Sequence, residues 1–520
     1  MIERIQNSKI LLLYIIPFVL GAISVLSFEP FNLFFVNFIT IATLFLILSF
    51  VNKKSRSTYR RRKNYLSNFF KIGYFFGLGF FLFGTYWITH SLTFDPSLKI
   101  FIPIALVGIP AFLSLFYGFG IMVIGPFLTN NFSSILIFSS SLSLIDFIKG
   151  KILTGFPWNS WAYSLSWFTE FIQITNFVGF YAFNLIVITF YCASALIFFK
   201  SYKYKNILII FNVLIIFCFY IFGSYIINKN DNYIKGQKNF ITFKVVSPNF
   251  DIQMNSVQKN IENNLKKIIR YSEPVSDKKT FFIWPESITS GAYYSDLLKY
   301  KNIIKENFSD KHFIILGTNT RSEDKRFIYN SFIVINNNFK IIYRYNKNKL
   351  VPFGEFLPFE DLLQSFGLKK ITHGYGSFSK GKFTKNFEYS GMNILPLICY
   401  EIIFPELTQR SSASTNFIIN ISEDGWFGKS IGPYQHFSKS IFRSVENNSY
   451  IIRSANKGVS AFINNKGKVL KRLEPYEAGM IELEVPVLSQ NLKNKNDLIF
   501  LILLFTYTIT FLIFKKKNER

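Results

Sequence analysis

The sequence predicts a polytopic membrane helical bundle of about eight transmembrane helices joined to an exported α/β domain. Half of the 520 residues are hydrophobic, with 64 Phe, 28 Tyr and 6 Trp, and the mean hydropathy is +0.25. That is more apolar surface than a disordered or fully solvated chain can leave in water. The apolar residues gather in separated runs of about 20, the length that spans a bilayer core. The cations, 58 Lys and Arg against 31 Asp and Glu for a net charge of +27, sit between those runs and not along one soluble face. This sets nucleic-acid binding aside and points to short cytoplasmic loops.

The candidate spans cover residues 10–28, 31–51, 69–91, 100–128, 132–148, 171–199, 207–227 and 498–514. The fifth is short and serine-rich. The first reads as a span and not as a removed leader, because Ser27-Phe28-Glu29-Pro30 offers no clean small-residue cleavage site. An even count puts both termini on one side. Residues 52–64 carry seven Lys or Arg and no acid, Lys200, Lys203 and Lys205 separate spans six and seven, and Lys515, Lys516 and Lys517 follow span eight. Threading from an inside N-terminus places all three clusters inside, as the positive-inside rule requires. Residues 1–227 are then a membrane domain with about seven spans, 228–497 an exported domain, and 498–520 the last span with a basic cytoplasmic tail.

The exported stretch is long enough to bury its own core. Short β-rich runs recur at 241–246, 280–284, 312–317, 330–336, 340–345, 394–399, 416–421, 450–454 and 459–463, with helical patterns at 256–271 and 434–447. Strands alternating with helices mean an α/β domain with helices covering sheet faces. No solenoid repeat, zinc spacing, P-loop or GxGxxG is present, and no metal or other cofactor is expected.

Three cysteines cannot make a disulfide framework. Cys192 and Cys218 fall within spans, which leaves Cys399 alone in the exported domain, where a strand opens into Tyr400 and Glu401. Strand ends are where α/β domains carry reactive groups. A nucleophilic thiol needs a base and an oxyanion stabiliser. The four histidines (His90, His312, His373, His436) offer no obvious partner for a Cys–His pair: His90 belongs to a span, the others show no motif, and they are read as ordinary loop or helix residues. Carboxylates and lysines at other strand ends remain: Glu286 in FFIWPES, and Lys347 and Glu355 in YNKNKLVPFGEFLP. Periodicity by itself does not bring these residues together.

FFIWPES, YNKNKLVPFGEFLP and LICYEIIFPE, in this order, resemble the three motifs of the nitrilase (carbon–nitrogen hydrolase) superfamily. The segments NISEDGWFG at 420–428 and 435–469 fit its later part. Seven spans before such a domain and one after it, with FGTYWITHSL at 83–92 and LTGFPWNSWAY at 153–163, are similar to the apolipoprotein N-acyltransferases of bacterial lipoprotein maturation. The resemblance implies an α-β-β-α sandwich for the exported domain, with Glu286 as general base, Lys347 as oxyanion stabiliser and Cys399 as nucleophile. It implies supporting roles for Glu355, which holds Lys347, for the Tyr400 N–H in the oxyanion hole, and for Glu401. It places Trp426 and Asp424 at a lid or pocket mouth. Two departures concern substrate contacts: 248–260 lacks a tryptophan, and NISEDGWFG replaces the commoner N-x-S-N-D-A-W-F-G, with Gly425 in the alanine position.

The implied reaction moves an acyl chain from a membrane phospholipid, through a Cys399 thioester, to the free α-amine of an S-diacylglyceryl-cysteine apolipoprotein. The setting is the bacterial inner membrane, with the catalytic domain periplasmic, both termini cytoplasmic and the protein a monomer. Glu170 and the Trp158–Trp161 loop are candidates to line the lipid entrance, with interfacial anchoring the commoner role for such tryptophans. The rival readings are a membrane-tethered amidase acting on a small amide and a transporter with an exported binding module. Few intramembrane charges and no inverted repeat weigh against the transporter. A cysteine introduced at Ser55 should react with an impermeant maleimide only in opened cells; labelling from outside intact cells would overturn the threading.

Overall fold

The computed structural model describes residues 8–57, 64–199, 202–252, 261–275, 277–286, 288, 291–360, 377–382, 385–409, 415–488 and 497–519. Two units divide the chain. One is Met1–Thr89, Phe101–Ile226 and Lys495–Arg520; the other is His90–Ile100 and Ile227–Asn494.

The first unit is helical: α1 (Leu11–Ser27), α2 (Val36–Ser57), α3 (Asn64–Thr85), α4 (Ile102–Ile124), α5 (Phe132–Lys151), α6 (Phe180–Ala193), α7 (Lys205–Lys235) and the C-terminal helix Leu498–Glu519. Among the described residues seven helices are long and apolar enough to cross a membrane, and α1 is a shorter apolar one. Each expected run has its helix. The run 171–199 is divided, however. Thr169–Ile172 and Thr175–Val178 are isolated helical turns, the backbone leaves helical geometry at Gly179 (φ 81°), and the long helix begins at Phe180. The serine-rich run becomes α5, an interior helix with Ser133, Ser134, Ser139, Ser140 and Ser143 buried. Small side chains let neighbouring backbones come close, which is how such a helix earns an interior place.

Trp158 and Trp161 are interior residues, 1% and 0% exposed, which corrects the expectation of interfacial anchors. Trp158 packs on Trp87 at 4.5 Å, and Trp161 stacks on Phe80 at 4.7 Å. Trp158 lies in irregular backbone and Trp161 opens the short 3₁₀ helix Trp161–Leu165, and backbone groups buried in such a stretch need other protein groups to satisfy them. Asp146 and Asn184 do so. The Ala162 N–H donates to Asn184 Oδ1 at 2.9 Å, and Asn184 Nδ2 donates to Asp146 Oδ2 at 3.0 Å. The Trp161 N–H donates to Asp146 as well, while its indole N–H reaches the Tyr117 hydroxyl at 3.1 Å. Lys149, one turn on, balances the charge at 3.5 Å.

The second unit holds two six-stranded sheets. The first comprises β1 (Phe240–Ser247), β2 (Thr280–Ile283), β3 (His312–Arg321), β4 (Ile328–Asn336), β5 (Ile341–Asn346) and, at its far edge, Gly479–Pro486. The second comprises β6 (Phe387–Tyr389), β7 (Met392–Ile398), β8 (Phe417–Glu423), β9 (Tyr450–Asn456), β10 (Ser460–Ile463) and β11 (Val469–Leu473), in order β11-β10-β9-β8-β7-β6. The edge strand Gly479–Pro486 (β12) lies antiparallel to β1, while β1, β2 and β3 run parallel, as do β7, β8 and β9.

The sheets pack face to face through aromatic pairs. Phe243 meets Phe417 at 5.2 Å, and Phe313 meets Tyr389 at 4.8 Å. Helix α8 (Ile261–Ser272) lays Ile261, Leu265, Ile268 and Ile269 over Val246, Phe282, Trp284 and Ile314 on the outer face of the first sheet. Helix α9 (Gly432–Asn447) belongs to the second sheet's outer side. This is the expected α-β-β-α sandwich. All nine expected strands form. The helical pattern at 256–271 is described from Ile261 onward.

Breaking one side of a buried ion pair leaves the other charge uncompensated, at a cost of about 3–5 kcal/mol. Asp146→Asn should therefore lower the thermal stability of the detergent-solubilised protein clearly. Asp146→Asn combined with Lys149→Met should lower it less than either single change. Additive losses would mean that the two side chains do not act as a pair.

Candidate active site

Strand ends deliver the three candidate side chains. Glu286 follows β2 by three residues, Lys347 follows β5 directly, and Cys399 follows β7 directly, opening the 3₁₀ turn Cys399–Ile403. All three are buried: Glu286 8%, Lys347 1% and Cys399 7% exposed. The Lys347 ammonium lies 2.9 Å from Glu355 Oε1 and 3.4 Å from Glu286 Oε1. Cys399 stands in the field of Glu286, Lys347 and Asp424, with the Ser422 hydroxyl in hydrogen-bond reach of its sulfur. Its φ is +49°, the left-handed region, which a residue with a Cβ occupies at a cost of about 1–2 kcal/mol. The strand-to-turn junction holds the thiol in that conformation.

Each carboxylate is saturated with donors. Glu286 Oε1 also accepts from the Asn330 amide at 2.7 Å, and Oε2 accepts the Glu423 N–H at 3.0 Å. Glu355 Oε1 accepts from the same Asn330 amide at 2.9 Å, and Oε2 accepts the Val351 N–H at 2.9 Å. Asn330, on β4, thus bridges both carboxylates, and its carbonyl accepts the Lys347 N–H at 2.8 Å. Glu401 acts as a brace between sheets. Its Oε1 accepts from the Tyr345 hydroxyl at 2.7 Å, the Asn348 N–H at 2.6 Å and the Lys349 N–H at 3.0 Å. Its Oε2 accepts the Ile398 N–H at 2.9 Å. One side chain therefore joins the end of the lysine strand to the end of the cysteine strand. Tyr400 packs its ring on Phe404 at 5.0 Å.

A second polar network lies beneath. Asp424 is fully buried and accepts from Arg453 Nη2 at 2.8 Å, from Ser422 Oγ at 2.6 Å and against His436 Nδ1 at 3.0 Å. Asn420, which Arg453 Nη1 also contacts, donates toward the Leu397 carbonyl at 3.2 Å and the Cys399 carbonyl at 3.5 Å. His436 is therefore part of a buried ion network, a correction to its reading as an ordinary helix residue. His312 is a strand residue whose ring contacts the Ser309 N–H and the Val275 carbonyl. His373 lies outside the described residues. Trp426 is half-buried on the turn Asp424–Phe427, and Trp158 belongs to the helical unit.

The departures in NISEDGWFG fit each other sterically. Glu423 occupies the asparagine position, and its longer side chain accepts from Asn456 Nδ2 at 2.8 Å and from the Gly425 N–H at 3.0 Å. A Cβ at Gly425 would stand 2.7 Å from Glu423 Oε1, so the larger acid and the missing methyl accompany one another.

Burial dominates the electrostatics. It pushes the Cys399 thiol well above its ordinary value, with the Glu286 charge adding to the rise and Lys347 opposing it. Burial works against the Lys347 ammonium too, but Glu286 and Glu355 outweigh it and hold its pKa above the usual lysine value. Burial also raises Glu401 and, further, Glu423. Asp424 is the exception: burial is again the largest influence, yet Arg453 and His436 together hold its carboxyl below the usual range. A buried thiol with an ammonium, a carboxylate and donors converging on it suits covalent acyl chemistry.

Comparison with known proteins fits this geometry. Residues 20–193 match the family model of the apolipoprotein N-acyltransferase N-terminal domain, and residues 252–493 match that of carbon-nitrogen hydrolases. The apolipoprotein N-acyltransferase of Rickettsia typhi is 31% identical over 481 residues, covering 91% of this chain and 92% of that one. The chain belongs to the apolipoprotein N-acyltransferase family. The apolipoprotein N-acyltransferase of Rhizobium leguminosarum bv. trifolii is 29% identical over 482 residues, covering 89% of this chain and 88% of that one. A solved CN-hydrolase superfamily protein from Xanthomonas campestris aligns with 48% of this chain and 91% of its own, at 14% identity and a TM-score of 0.34.

The raised thiol pKa has a measurable sign. The fold favours the protonated thiol, so thiolate accumulates only as pH climbs past the ordinary thiol value of about 8.5. In a Cys192→Ser, Cys218→Ser background, the rate of Cys399 alkylation by iodoacetamide should still be rising above that value. A plateau reached near neutral pH would show a resting thiolate instead.

Proposed function

We propose that this acyltransferase works by two half-reactions on Cys399, with Glu286 as the shared base and Lys347 as the shared oxyanion stabiliser. Cys399 Sγ attacks the ester carbonyl of a phospholipid while Glu286 takes the thiol proton. The tetrahedral oxyanion is held by the Lys347 ammonium and the Tyr400 N–H. Collapse breaks the C–O ester bond, the proton passes to the departing oxygen, and a lysophospholipid leaves the thioester behind. The α-amine of an S-diacylglyceryl-cysteine apolipoprotein then attacks the thioester carbonyl. Glu286 takes the amine proton, the C–S bond breaks, and the thiol is restored with an amide formed.

The observation that carries this reading is the Lys347 ammonium shared by Glu286 and Glu355, beside a buried cysteine held at positive φ. A protonated resting thiol suits it, because the proton is removed only when an electrophile is in place. Glu355 and Asn330 hold the lysine and the base, while Glu401 holds the cysteine turn against the lysine strand. The Asp424 network supports β8 and the Trp426 turn at the pocket. A membrane-tethered catalyst also suits the substrates. Long acyl chains resist leaving the bilayer by about 0.8 kcal/mol per CH₂, so a soluble enzyme would have to extract both. The basic clusters support an inner-membrane protein with cytoplasmic termini and a periplasmic catalytic domain spanning residues 228–497.

Incubation with a phospholipid donor and no acceptor should load one acyl group on the wild-type protein, read by intact mass, with stoichiometric lysophospholipid release. Cys399→Ala should load none. Glu286→Gln and Lys347→Met should each slow loading by roughly 10²–10³-fold, and Glu355→Gln by less. Loading at the wild-type rate in Glu286→Gln would mean that another group deprotonates Cys399. Hydrolysis of a small amide without acyl loading would favour the amidase reading.

A further inference from the structure

The segment His90–Ile100 interrupts the helical unit in sequence yet belongs to the second unit. Two of its side chains reach the turn that carries Trp426. The Phe94 ring meets the Trp426 ring edge-on, with centroids 5.2 Å apart and planes at 78°. The His90 ring meets Phe94 in the same manner at 5.3 Å and 86°, giving a continuous His90–Phe94–Trp426 array. Two residues past Trp426, Gly428 has φ +63°, and a Cβ there would stand 2.6 Å from the His90 ring carbons. The imidazole face therefore rests directly on the Gly428 backbone. The segment grips the turn at two points, a side chain at 426 and a main chain at 428.

The turn is tied to the reacting groups on its other side. It follows β8, whose Glu423 N–H holds Glu286 Oε2, and Asp424 lies in the field of Cys399. Within the turn the Gly428 N–H donates to the Gly425 carbonyl at 3.2 Å, and the Ser430 hydroxyl donates to the Phe427 carbonyl at 2.8 Å. Those are short-range bonds of a four-residue turn. Edge-to-face aromatic pairs are attractive beyond the area they bury, and two such contacts favour one placement of so short a turn.

We propose that His90 and Phe94 are positioning residues for Trp426, holding its ring where the lipid chains of the substrates pass. The inference rests on the acyl-transfer reading above. His90 acts through its ring face and edge, not through its protonation. An aromatic ring replaces it, and an amide of similar polarity does not.

The test uses full-length protein in detergent. Hydrogen exchange of the 425–430 amides, measured without substrate, should quicken by roughly tenfold in Phe94→Ala and in His90→Ala, and return toward wild type in His90→Phe but not in His90→Gln. The donor KM should rise by about tenfold in Phe94→Ala, with kcat changed by less than about threefold, because contact with a passive chain is made equally in ground and transition states. In a Trp426→Ala background the same Phe94→Ala change should add nothing further to KM. Unchanged exchange in both alanine variants would overturn the proposal, as would a full additional KM rise without Trp426. Altered exchange in a protein that loads no acyl group would instead defeat the acyl-transfer reading while leaving the grip on the turn intact.

Discussion

The candidate site in the second unit is organised around one of its buried cations, the Lys347 ammonium. Lys347 is 1% exposed, and an ammonium in that position is tolerable only with compensating charge at contact distance. Glu355 and Glu286 supply it, at 2.9 and 3.4 Å. Two carboxylates around one ammonium leave an excess negative charge, and the Asn330 amide, donating to both acids, offsets that excess without adding a titrating group. Glu286, Lys347, Glu355 and Asn330 form one unit. None of them is placed independently of the others.

Cys399 comes from the other sheet, and this explains Glu401. Two sheets packed through rings such as Phe243 and Phe417 could slide by fractions of an ångström, enough to disturb catalysis. Glu401 accepts four hydrogen bonds, three from the lysine strand and its loop and one from Ile398 at the end of the cysteine strand. It converts packing into registration. The same logic holds in the helical unit, where Asp146 and Asn184 fix the backbone of the Trp158–Trp161 loop that apolar contact alone would leave unsatisfied.

Much of this is legible in the sequence. The eight apolar runs, the nine strands and the order Glu286, Lys347, Cys399 follow from hydrophobic length, β-rich patterning and three motifs at strand ends. The strands that were not legible lie at or beside sheet edges. β6 has three residues, β11 is largely exposed, and β12 alternates acids with apolar residues. Edge strands need not be apolar on both faces, so they carry a weak signal. The run 171–199 reads as one span in the sequence because hydropathy does not register the backbone break at Gly179.

The sequence by itself determined which residue types were available for chemistry and which stretches had to leave water, because both depend on composition and local period. Tertiary structure decided the pairings. Asn330 stands 44 residues from Glu286 in the chain and 25 from Glu355, and Arg453 stands 29 from Asp424. His90 and Phe94 belong to a segment more than 300 residues from Trp426. No local pattern encodes such contacts, since they arise only when two sheets and a distant loop close around the same buried volume. A charged residue inside an apolar strand, such as Arg453 in YIIRSAN, announces that a partner exists, because burial without one is too costly. Which partner it finds is fixed by the packing of the sheets.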